Sequence, residues 1–187
     1  MSARFDVLTS PIAGLYVLQR KPIADSRGYF ERLFCAGELE DLLQGRRIEQ
    51  INHSVTSFRG AVRGLHFQYP PHAETKIVMC LKGEVFDVAV DLRRGSPHFL
   101  RWHAEVLSGE NHRAFFIPEG FAHGFQVLSD GCELLYLHTA PYRPDAEGGV
   151  DALDPALNIR WSLPVTERSA RDMRLPRLGQ DFEGMIP

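Results

Sequence analysis

The feature that most constrains this chain is the recurrence of short β-rich runs cut by turn residues. Between 76 and 92, KIVMCLKGEVFDVAVDL sets two such runs around Lys82 and Gly83, and the second alternates Phe86, Val88 and Val90 with Val85, Asp87, Ala89 and Asp91. Alternation with period two marks a strand with two distinct faces, so this stretch reads as a hairpin. Further strands are expected at 14–19, 61–68, 100–107, 113–117, 124–128 and 133–139, parted by Gly, Pro, Ser and Asn at the spacing of a sandwich or barrel. The clearest helix signal is AGELEDLLQG, 36–45, where Leu39, Leu42 and Leu43 share a face and Gly45 supplies a stop. No linker, low-complexity tract or long repeat divides the 187 residues, so one all-β domain over 1–187 is expected, with an N-terminal helix and an irregular C-terminal tail.

Hydrophobic residues at 44% and charged residues at 24% fit a globular chain and exclude disordered and collagen-like classes. IVMCL, 77–81, is typical of the longest aliphatic runs and far short of the ~20 residues of a membrane helix. The opening MSARFDVLTSPIAG lacks a signal-peptide pattern, so no membrane partner and a cytoplasmic location are expected. Cys35, Cys80 and Cys132 are odd in number and scattered among apolar residues, which suits reduced, mostly buried thiols. A net charge of −3 with interspersed signs offers no broad basic face for nucleic acid, so a few local arginines must hold any anion.

Two stretches carry the chemistry. RGLHFQ, 63–68, sets His66 among apolar neighbours, where a lone histidine is more often a satisfied core residue than a functional one. IPEGFAHGFQVL, 117–128, contains Pro-x-Gly-x-x-His ending at His123 and resembles the second motif of cupins. A metal-binding cupin needs two histidines one residue apart on the first strand, but here the pair is His66 and Gln68, and glutamine is a poor transition-metal ligand. Glu74 lies beyond the Pro70-Pro71 break, and His53, His72, His98, His103, His112 and His138 lack ligand spacing, so no metal is expected. Lys76, Tyr136 and Asp172 shift the weight for His66 toward acid–base chemistry. A base, a cation, a phenol and a carboxylate are the parts needed to remove a proton beside a carbonyl and return one.

The ordered series DSRGYF (25–30), QINHS (50–54), RGLHFQ, ETKIV (74–78), GEVFDVAVDLRRGSP (83–97), IPEGFAHGF (117–125), LLYLHTAPY (134–142) and LDPALNIRW (153–161) resembles the dTDP-4-dehydrorhamnose 3,5-epimerase family over nearly the whole chain. That resemblance implies a metal-independent, cofactor-free cupin-type double-stranded β-helix, a jelly-roll barrel. It implies a homodimer acting on a nucleotide-linked 4-keto-6-deoxy sugar. His66 then corresponds to the general base, Tyr136 to the acid on the opposite sugar face, Asp172 to the carboxylate that orients the imidazole, and Lys76 to the cation at the ketone oxygen. Such roles make physical sense: a 4-keto group acidifies C3–H and C5–H, imidazole titrates near neutrality, and a phenol of pKa ~10 stays protonated as a donor. Fixed positive charge is most effective where an enolate develops.

By the same resemblance, Arg27, Gln50, Asn52, Arg63, His123 and Glu147 hold the substrate, arginines suiting a diphosphate and the two amides reading base or ribose edges. Ideal alternation puts Arg63 and His66 on opposite faces, so both reach one pocket only if the strand bends near Gly64. In DSRGYFER, Arg32 stands where the family generally has a glutamate that binds nucleotide, and Glu31 is one position early. Near the tail Arg171 replaces a lysine, keeping charge but not shape. Both departures bear on the nucleotide more than on proton transfer. Epimerisation at C3 and C5 is therefore the leading expectation. The alternatives are inversion of one carbon, a CDP- or GDP-linked substrate, a non-catalytic sugar-nucleotide binder, or a metal-dependent oxygenase. Intact Tyr136 and Lys76 speak against the binder and Gln68 against the oxygenase.

Overall fold

A computed structural model describes residues 3–179 and 181–186. In chain order the strands are β1 (Phe5–Thr9), β2 (Tyr16–Arg20), β3 (Ile23–Asp25), β4 (Gly28–Phe30), β5 (Gln50–Thr56), β6 (Val62–Gln68) and β7 (Lys76–Lys82). They continue with β8 (Glu84–Asp91), β9 (Trp102–Ser108), β10 (Arg113–Ile117), β11 (Phe121–Val127), β12 (Cys132–His138) and β13 (Glu147–Gly149). One sheet has the order β1-β2-β10-β7-β12-β5, a second has β13-β6-β11-β8-β9, and β3 with β4 forms a separate small hairpin. All registered strand pairs are antiparallel, and the two large sheets form the jelly roll.

Three apolar clusters explain why central strands are buried on both faces. Val17, Val78, Phe115 and Leu134 of the first sheet meet Val85, Ala89, Phe125 and Val127 of the second in the inner core. Outside the first sheet, Leu39 and Leu43 cover Leu18, Ile77, Met79 and Phe116. Outside the second, the C-terminal tail brings Leu157, Trp161 and Phe182 against Val62, Val88, Val90 and Ala122. Full burial of a side chain such as Leu157 contributes roughly 1.5–3 kcal/mol, and Trp161 and Phe182 pack partly buried beside it, so the irregular tail is part of the fold rather than an appendage.

Two expectations are corrected. The run 76–92 is not a hairpin: β7 pairs with β10 and β12, whereas β8 pairs with β9 and β11. Gly83 turns the chain from one sheet into the other at φ +78, and a Cβ there would sit 2.6 Å from Cys132 Sγ. A single linking residue cannot make the two-residue loop of a tight hairpin, and each run finds better-covered partners in its own sheet. The helix expected over 36–45 is reduced to α1, Glu40–Leu43, because Leu39 provides no side-chain cap and Gln44 already adopts a left-handed conformation at φ 50. So short a helix persists by docking Leu39 and Leu43, not by propensity. β1, β3, β4, β5 and β13 were not anticipated; of these, β3, β4 and β13 are only three residues long. No helix among the described residues is long and apolar enough to cross a membrane.

Candidate active site

Alternation builds the site. Gln50, Asn52 and Ser54 on β5, Lys76 on β7, and Tyr136 and His138 on β12 face inward from the first sheet. Arg63, His66 and Gln68 on β6, His123 and Phe125 on β11, and Glu147 on β13 face them from the second, enclosing a cavity of about 400 Å³. Polar side chains thus occupy one end of the inner layer that apolar ones fill elsewhere.

The bend needed at Gly64 is present. Between His123↔His66 and Phe125↔Arg63 the β6 strand carries one extra residue, a bulge that turns Arg63 and His66 to the same side. Gly64 lies at φ +118, and a Cβ there would come within 2.6 Å of Gly124 Cα, so only glycine fits.

His66 Nε2 lies 2.8 Å from Asp172 Oδ1, and the backbone N–H of Gly64 donates to Oδ2 at 3.1 Å. Burial alone would raise the Asp172 carboxyl, but the bonds from His66 and Gly64 outweigh it and hold the group below its usual range. An ionised Asp172 accepts the Nε2 proton and leaves Nδ1 of a neutral His66 as the basic nitrogen. Tyr136 Oη is 2.9 Å from Ser54 Oγ, and burial pushes the phenol well above its ordinary pKa despite that bond. Lys76 Nζ donates to the carbonyl of His66 at 3.3 Å and pairs with Glu74 at 3.1 Å, leaving one of its three protons for a bound oxygen. His123 Nε2 sits 2.9 Å from fully buried Asp87, whose carboxyl is raised by burial more than His123 lowers it.

Gln50, Asn52, Arg63 and Glu147 also line the cavity, Arg63 anchoring one donor on the Val55 carbonyl at 3.0 Å. Arg171 pairs with Glu147 and lines a neighbouring cavity of about 380 Å³ that shares Arg63 and His66. Arg27 and Arg32 lie elsewhere: Arg27 is tied to Asp25 on the β3–β4 hairpin with its side chain 88% exposed, and Arg32 is paired with Glu38. Sequence reading missed Ser54, Glu74, Asp87, His138 and Tyr142. Ser54 is two residues from Asn52, His138 two from Tyr136 and Glu74 two before Lys76, so alternation carried a signal for three of them. Among the described residues, no three His, Cys, Asp or Glu side chains converge as a metal ligand set.

The family model for dTDP-4-dehydrorhamnose 3,5-epimerase matches residues 9–180. This chain belongs to that family. A dTDP-4-dehydrorhamnose 3,5-epimerase from Salmonella typhimurium is 43% identical over 177 residues, 93% of this chain and 96% of the relative. The crystal structure of a dTDP-6-deoxy-D-glucose-3,5-epimerase from Legionella pneumophila, in complex with dTDP-4-keto-L-rhamnose, superposes with a TM-score of 0.87 at 42% identity over 92% of each chain. A 3'-monoepimerase from Streptomyces bikiniensis in complex with dTDP-quinovose gives 0.80 at 33% identity, over 91% of this chain and 86% of that one.

Proposed function

We propose that the protein is a cofactor-independent isomerase that inverts C3 and C5 of a dTDP-linked 4-keto-6-deoxyhexose, giving dTDP-4-dehydrorhamnose. The observation that carries this reading is the placement of His66 and Tyr136 on facing sheets of one cavity, with Lys76 beside them. His66 takes the proton next to the ketone. Lys76 donates to the ketone oxygen as enolate charge gathers there, and Tyr136 delivers a proton from the other face. Burial keeps the phenol protonated until the carbanion needs it. Asp172 holds the imidazole in one orientation and stabilises its charged form. Arg63 and Arg171 suit the diphosphate, and Gln50, Asn52, His123 and Glu147 suit the sugar and nucleotide.

Arg27 and Arg32 fit a nucleotide-binding role only if supplied by a second copy, which agrees with a homodimer. The β3–β4 hairpin exposes Ile23, Tyr29 and Phe30, and edge strand β5 exposes Ile51 and Val55, a pattern that two-fold pairing would cover. Free Cys35, Cys80 and Cys132 suit the reducing cytoplasm.

The test is proton NMR of dTDP-4-keto-6-deoxyglucose in D₂O. Wild type should wash deuterium into both C3 and C5. His66→Ala should lose exchange and epimerisation together. Tyr136→Phe should retain some exchange, because His66 can return deuterium on its own side, while inverted product falls ~10²–10⁴-fold. Unchanged exchange in His66→Ala would overturn the assignment of the base. Single-carbon inversion is the second reading, raised by the 33% identity to a 3'-monoepimerase of the same fold, and deuterium at one carbon alone would select it.

A further inference from the structure

Glu74 and His138 have no part in proton transfer as derived above, yet both are largely buried in the cavity wall and bonded to each other. Glu74 Oε1 accepts from Lys76 Nζ at 3.1 Å, and Oε2 lies 2.9 Å from His138 Nδ1. His138 Nε2 lies 3.3 Å from Asn52 Nδ2, Asn52 Oδ1 accepts from Gln50 Nε2 at 3.0 Å, and Gln50 Oε1 accepts from the Tyr142 backbone N–H at 2.9 Å.

The direction of every bond in this line follows from one group. A backbone N–H can only donate, so Gln50 must present its oxygen to Tyr142 and its nitrogen to Asn52. Asn52 must then donate to His138 Nε2. That nitrogen must accept, so the ring proton sits on Nδ1 and is given to Glu74. Lys76, also donor-only, requires an acceptor at the other carboxylate oxygen. Only an ionised carboxylate satisfies both ends, and Glu74 is held below its usual range because His138 and Lys76 outweigh the effect of burial. His66 and His123 have their carboxylates at Nε2 instead, so His138 stands apart from both in tautomer.

We infer that Glu74 and His138 are positioning residues: together they fix the polarity of a hydrogen-bond line that joins Lys76 at the ketone end to the amides of Asn52 and Gln50 at the nucleotide end. This rests on the proposed reading for which end of the cavity takes the nucleotide. The polarity itself does not. The ionisable groups around the His138 ring are Glu74, Lys76 across β7, and Tyr136, whose ring stacks on it at 6.2 Å. Protonation of His138 would set its Nε2–H against Asn52 Nδ2–H.

Glu74→Gln reverses the line with almost no change of shape. Lys76 claims the new amide oxygen, the NH₂ group faces Nδ1, and Gln68 Nε2, 3.4 Å from Oε2, meets the same NH₂. His138 must then carry its proton on Nε2, and Asn52 and Gln50 must turn over, until the mismatch reaches the Tyr142 N–H, which cannot turn. Loss of one such bond costs about two- to tenfold in affinity.

The experiment is a long-range ¹H–¹⁵N spectrum of histidine-labelled free protein at pH 7.5, assigned with His138→Leu, alongside dTDP titration of each variant. Expected are an Nδ1–H His138 in the wild type, a switch to Nε2–H in Glu74→Gln, and dTDP binding weakened about two- to tenfold in Glu74→Gln and His138→Leu. An Nε2–H or charged His138 in the wild type would overturn the inference. So would a switched tautomer with unchanged dTDP affinity. Failure of the wild type to bind dTDP would count against the proposed function instead, and the spectrum would still decide the polarity.

Discussion

At the scale of single residues, Asp172 shows how a tail residue enters the site. It is 106 positions from His66 in the chain, 3% exposed, and held by His66, by Gly64 N–H, and through its own backbone by Ser169 and Arg168. Its folded pKa lies below the ordinary 3.8, so the unfolded chain takes up this proton first as pH falls. The stability it contributes is therefore fully present above the unfolded pKa and lost as pH drops through the folded one. Asp172→Asn should flatten the acid side of a plot of urea midpoint against pH. It should also weaken deuterium exchange and epimerisation together, because the imidazole loses its orientation while the base remains. An unaltered acid limb in the variant would show that the His66–Asp172 bond does not form in solution.

At the scale of elements, β6 carries the decisive irregularity. RGLHFQ alternates poorly if read as a straight strand, since Arg63 and His66 fall on opposite faces, and the glycine between them is the visible hint of a bulge. Gly64→Ala should cost about 1–3 kcal/mol or more, because the added carbon meets backbone atoms of Gly124 and His123 that cannot move aside. It should also depress turnover by swinging Arg63 out of register. Chemical denaturation and exchange kinetics on the same sample would separate the two effects, and wild-type stability would mean that the bulge is not fixed by this contact. The run 76–92 shows the opposite case: alternation identified both strands and misjudged their pairing. Apolar periodicity is a local property, whereas the choice of partner at Gly83 depends on which strands lie on either side once two sheets have formed.

At the scale of the whole molecule, β3, β4, β5 and the edge strand β1 together expose Ile23, Tyr29, Phe30, Ile51, Val55, Val7 and Leu8. Edges of this kind are covered in stable proteins, so light scattering at micromolar concentration should give twice the chain mass of 21.1 kDa. Arg27→Ala should then weaken dTDP binding without loss of mass, since among the described residues the Arg27 side chain hydrogen-bonds to Asp25 alone. A monomer mass, or full affinity in the variant, would remove Arg27 and Arg32 from the nucleotide site.

The sequence by itself determined the β class and most of the inner-facing strands, because period two is written into local order. His66, Lys76, His123 and Tyr136 were legible from residue type and from motifs that resemble the family's, which also implied their roles. Helix length was misread because the apolar face of 36–45 records docking against the sheet and not helical propensity. Tertiary structure alone decided that β7 and β8 part into different sheets, that Glu74 and His138 join Lys76 to Asn52, and that Arg27 lies away from the cavity. Those are pairings between distant segments. They are fixed by which buried polar groups and apolar faces must be satisfied at once, a condition that no local stretch of chain contains.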